Sequence, residues 1–128
     1  MLGFIVRCVA LVVLYAGAAI GQGTFGQIAY GGCWQTTFTF VNLSAQSAAS
    51  VSLSFYADDG SPLSAPVQGV GNISPYLFTI PASGAQTVVL TSTDSSTTQG
   101  WASMSIANGV IVRGQGLFRC HNPGRPDY

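Results

Sequence analysis

Along residues 34–42 the side chains alternate with a period of two. Trp34, Thr36, Phe38 and Phe40 fall on one side, and Gln35, Thr37 and Thr39 on the other. Burying an aromatic side chain is worth roughly 1.5–3 kcal/mol, so three on one face set the register of this strand, because a slip of one residue would expose them all. The same alternation recurs downstream. Val51, Leu53 and Phe55 oppose Ser52, Ser54 and Tyr56; Tyr76, Phe78 and Ile80 share a face between Pro75 and Pro81; Val88 and Leu90 share another. Residues 24–30 predict an edge strand whose Phe25 and Ile28 break the alternation. Residues 63–70, with Pro62 and Pro66, predict another edge strand, since proline gives nothing to a ladder.

The breaks between these runs carry turn chemistry. Asp58-Asp59-Gly60-Ser61-Pro62 is a turn, as Asp bonds its own backbone and Gly supplies positive φ. Residues 92–100 form a Ser/Thr-rich loop. Asn108-Gly109 predicts a type I′ hairpin joining residues 101–107 to 110–120. In the last run Val110, Val112, Gly114, Gly116 and Phe118 share a face, and its glycines leave room for a large neighbour, Trp34 or Phe38. No helical period occurs outside the first residues. The expected fold is all-β: a single antiparallel β-sandwich of about seven or eight strands with an immunoglobulin-like outline. The cysteine and tryptophan spacing of antibody domains is absent.

The first 21 residues read as a signal peptide, leaving residues 22–128 as the domain. Arg7 supplies the positive start, an apolar run follows from Cys8 to Ile20, and Ala19-Ile20-Gly21 offers small residues for cleavage near Gly21–Gln22, with Ala18–Ala19 as the alternative site. The run is short for a membrane span, so contact with a membrane is expected only through an uncleaved leader. A lipoprotein signal is set aside because Cys8 stands at the start of the apolar run and not after it, and a prepilin junction because the basic leader is missing and Cys8 stands where pilins usually carry Glu. Removing the leader removes Cys8 and leaves Cys33 and Cys120, which pair most simply with each other in an oxidising compartment; two free buried thiols are the alternative.

Composition narrows the function. Only 6% of residues are charged, the formal net charge is zero, and neither Lys nor Glu occurs. With no basic stripe to neutralise phosphates, nucleic acid is not an expected partner. An enzyme is not expected either. His121 is the one imidazole and sits in a Pro/Gly tail, no Gly-x-Ser-x-Gly elbow is present, and one His with two distant Cys gives no tetrahedral metal set. No cofactor is expected; Asp58 and Asp59 with Ser61 offer at most a weak calcium site. Asn42-Leu43-Ser44 and Asn72-Ile73-Ser74 are sequons of use only in a glycosylating host.

The runs Gly32-Cys33-Trp34-Gln35-Thr36-Thr37-Phe38, Phe55-Tyr56-Ala57-Asp58-Asp59-Gly60-Ser61-Pro62-Leu63, Thr97-Thr98-Gln99-Gly100-Trp101-Ala102 and Gly116-Leu117-Phe118-Arg119 resemble a short, poorly characterised β-sandwich domain of bacterial exported and surface proteins. The resemblance spans nearly all of residues 22–128 and implies export, a β-sandwich and company with adhesion-like architectures. It supplies no catalytic residues, and non-cysteine residues are expected in many relatives at Cys33 and Cys120, so the disulfide rests on this sequence alone.

Binding is therefore the expected mode. Trp101 and Tyr56 lie out of phase with the core rows, flanked by Ser103 and Ser105 or by Ser52 and Ser54, as a glycan or protein partner at the cell surface would require. The plainer reading folds each ring over a sheet edge. A third expectation is a structural subunit that adds residues 22–25 to a neighbour's open sheet edge, the partner being a second copy of the chain.

Overall fold

The computed structural model describes residues 10–15 and 22–121. They form ten strands: β1 (Ala10–Tyr15), β2 (Gln22–Tyr30), β3 (Trp34–Asn42), β4 (Ala49–Ala57), β5 (Ala65–Val67), β6 (Gly71–Ile73), β7 (Tyr76–Ile80), β8 (Ala85–Leu90), β9 (Thr98–Ile106) and β10 (Val112–Cys120). One sheet has the order β1-β10-β3-β8-β5-β6 and the other β2-β9-β4-β7, with antiparallel pairing throughout. This is an all-β sandwich. The start of the expected leader and its cleavage site lie outside the described residues; residues 10–15 pair with β10 from Ala10 opposite Phe118 to Tyr15 opposite Arg113.

β3 lies near the middle of the larger sheet, as its alternation demands. Thr36, Phe38, Phe40 and Asn42 are buried, while Trp34 is only half-buried. Phe25 and Phe38 pack with ring centroids 4.7 Å apart, Phe25 and Phe40 edge to face at 5.8 Å, and Phe40 and Phe78 at 5.5 Å. The inward glycines of β10 make room for these rings. A Cβ on Gly114 would lie 2.9 Å from both Phe25 and Phe40, and one on Gly116 would touch Phe38 at 3.6 Å. The partners are thus Phe38, Phe40 and Phe25; Trp34 takes no part and lies opposite Cys120.

Two polar side chains are buried in this core, and both are satisfied. The Thr36 hydroxyl accepts from the Ala29 N–H (2.9 Å) and donates to the Ala29 carbonyl (2.7 Å), tying the two sheets together. Asn42, 1% exposed, donates its amide to the carbonyls of Ser47, Ile80 and Pro81 and accepts from the Ser44 N–H. In the folded state the amide of this first sequon is therefore occupied, whereas Asn72 is exposed on β6. Asn42→Ala should cost about 2–3 kcal/mol, because buried carbonyls lose their donor; chemical denaturation of the purified variant checks it.

Three local expectations change in the folded chain, and a fourth gains its physical cause. Asn108-Gly109 does not close a hairpin, since β9 pairs with β2 and β4 while β10 pairs with β1 and β3 in the other sheet. Gly109 has φ +73°, but Asn108 is not in the left-handed region, and its side chain instead bonds the Ala48 carbonyl (2.6 Å), pinning a crossover corner to the entry of β4. The segment with Pro66 is not the sheet margin: β6, a three-residue strand after a tight turn, lies outside β5. Proline is tolerated there because the ladder from β5 to β8 is a single pair, Val67 with Leu90. Residues 22–25 are not spare strand material; they pair with β9 of their own chain and bury Phe25 in its core. The broken alternation of Phe25 and Ile28 is a β-bulge, a register shift that lets both side chains reach the core.

Candidate binding face

The disulfide forms between Cys33 and Cys120, whose Cα atoms are 4.7 Å apart. It joins the entry of β3 to the end of β10, beside the bond from the His121 N–H to the Cys33 carbonyl (2.9 Å). The turn before it needs Gly31 and Gly32, with φ +83° and +61°, and a side chain on Gly31 would strike the Ser96 carbonyl. The adjoining Tyr30 phenol is held above its ordinary value by burial, with the Asp94 charge adding to the shift and a hydrogen bond with Thr98 opposing it.

On the outer face of the four-stranded sheet, Tyr56 of β4 and Trp101 of β9 are direct cross-strand partners. Their rings stack at 4.4 Å between centroids and 21° between planes, and both are half-buried. They lie on the two central strands of that sheet, not over its margin. The two sequence-predicted binding residues are thus brought together into one aromatic surface.

Register extends that surface in rows. The bulge of β2, at Gly26 and Gln27, lies beside Trp101; Thr24, Ser103 and Ser54 form the next row; Gln22, Ser105, Ser52 and Leu77 form the one after. Leu77, missed as a candidate because alternation marks it only as outward-facing, is 67% exposed. It borders a shallow groove of about 400 Å³ lined also by Ser50, Ser52, Thr79 and Ser105. None of these rows holds a charged residue. Gly100 supports the stack: a Cβ there would strike the Tyr56 carbonyl, so glycine lets β9 close against β4 at the aromatic pair.

Other candidate groups have local duties. Asp59 accepts from the Ser61 hydroxyl (2.7 Å) and the Ser61 N–H (2.9 Å), bonds that hold its carboxyl below the usual carboxylate range and shape the turn. Asp58 is exposed beside it. Among the described residues no group of three or more His, Cys, Asp and Glu gathers to hold a metal ion.

No protein-family model and no curated protein sequence matches the chain. Solved structures do resemble it. The Anabaena sensory rhodopsin transducer superposes with a TM-score of 0.52 at 16% identity, over 86% of this chain and 90% of that one. The SPBc2 prophage-derived protein YomS follows at 0.45 and 10%, over 89% and 96% of the two chains. A protein of Bacillus endospore appendages, which form disulfide-linked pili, gives 0.42 and 7%, over 87% and 81%. The likeness to the transducer is one of fold.

Proposed function

We propose that the protein is a non-catalytic binding module of the cell exterior, and that the outer face of its four-stranded sheet takes a neutral saccharide. The stacked pair Tyr56–Trp101 carries this reading. Aromatic faces suit the C–H surface of a sugar ring, and the rows of Ser and Thr hydroxyls beside them both donate and accept hydrogen bonds. The absence of charge from these rows favours a neutral ligand over an acidic or basic one. The Cys33–Cys120 bond supports an exported protein, since such bonds persist in oxidising compartments.

Trp101→Ala and Tyr56→Ala are each expected to weaken saccharide binding by about tenfold or more, while each substitution lowers stability by roughly 1–3 kcal/mol through the lost stacking and half-buried area, which leaves the domain folded. Calorimetric titration against a panel of neutral oligosaccharides, paired with thermal unfolding, separates the two effects. Binding that survives both substitutions would place the ligand elsewhere.

A further inference from the structure

Natural sheets protect their margins, and three of the four margins of this sandwich carry a recognisable device. β2 is broken by its bulge, β6 is only three residues long, and β7 is bounded by Pro75 and Pro81. The fourth margin differs. β10 runs for nine residues without proline and without a register break against β3, and what covers its other side is β1.

The polarity of that edge follows from its ladder. The His121 N–H donates to the Cys33 carbonyl and the Leu43 N–H to the Ile111 carbonyl, so odd-numbered positions of β10 bond to β3. The N–H and C=O groups of Gly114, Gly116 and Phe118 therefore point toward β1, within the stretch where Ala10–Tyr15 pairs. If the leader is cut near Gly21–Gln22, β1 leaves with it and these groups lose their partners.

We propose that removal of the leader turns β10 into a self-complementary edge, on which a second copy of the chain pairs β10 to β10 about a two-fold axis at Gln115. The pairing is antiparallel, as it is with β1, so the same backbone groups are used. A register centred on Gln115 sets Gly114 opposite Gly116 and Val112 opposite Phe118, keeping the inward row of both copies on the core side. It sets Arg113 opposite Leu117. Shifting the axis to Gly116 would bring Arg113 against Arg119, and like charges directly opposite are unfavourable. The joined sheets leave both Tyr56–Trp101 faces open, so each assembly carries two binding faces.

Gln115 is exposed and its side chain lies off the core, which makes it the position to test. The protein is secreted from an exporting host, its N-terminus read by intact mass, and its assembly followed by light scattering after size exclusion. The expected result is a chain that starts after residue 15 and forms a dimer. Gln115→Lys and Gln115→Glu should each raise the dimer dissociation constant by about tenfold or more through charge repulsion at the axis, with thermal stability of the monomer retained. An equimolar mixture of the two variants should restore the dimer. A chain that keeps residues 10–15, a monomer at high micromolar concentration, or a Gln115→Lys dimer as tight as the parent would each overturn the proposal. The saccharide titration above is independent of all three outcomes.

Discussion

Phe38→Ala should destabilise the domain by about 3–5 kcal/mol, the range for truncating a fully buried aromatic ring. Phe38 is 0% exposed and packs on Phe25 at 4.7 Å and on Phe40 at 6.0 Å. Its position opposite Gly116 makes the site unforgiving, because a glycine has no side chain with which to fill the space left behind. The loss is thus the transfer term together with an uncollapsed cavity. Domains of this size have about 5–15 kcal/mol of net stability, so the variant keeps only part of it. A urea titration would show the effect as a lower midpoint with little change in slope. Gly116→Ala is the informative contrast: the added methyl meets Phe38 at ordinary contact distance, 3.6 Å, so it should cost far less.

Replacing both Cys33 and Cys120 by serine should cost about 2–4 kcal/mol. The bond closes 87 residues of chain, nearly the whole described domain from β3 to β10, and so restricts the unfolded ensemble strongly. In the folded state its two ends lie on neighbouring strands already held by the ladder between Trp34 and Cys120. The native structure should therefore survive the change while the unfolded state gains freedom. The expected signature is a lowered unfolding midpoint for the double variant and, equally, for the parent protein under reducing conditions. An unchanged midpoint would show that the cross-link does not limit the unfolded chain.

Much of the sandwich was legible because strands half-buried on one face write their burial into every second residue. β3, β4, β7 and β8 follow from that alternation alone, and so does the outward phase of Tyr56 and Trp101. Pairing was less legible. Asn-Gly has the same local chemistry whether the flanking strands pair or part, and the Asn108 side chain here bonds the Ala48 carbonyl, sixty residues away, at the entry of β4. Residues 22–25 read as loose strand material because the bulge hides the phase that Phe25 shares with the core. The stack of Tyr56 on Trp101 depends on the register between β4 and β9, which neither strand encodes by itself. The role of Asn42 was invisible for a related reason: its partners at Ile80 and Pro81 are almost forty residues away.

The pair Tyr56–Trp101 is the centre of the functional reading, and the fluorescence of Trp101 tests it most directly. The chain has two tryptophans, so Trp34→Phe leaves Trp101 as the single reporter. Titrating this variant with neutral oligosaccharides should give a saturable change in emission that is lost on adding Tyr56→Ala. Emission that stays unchanged across the panel, from a protein shown to be folded, would contradict the assignment of this face as a saccharide-binding site.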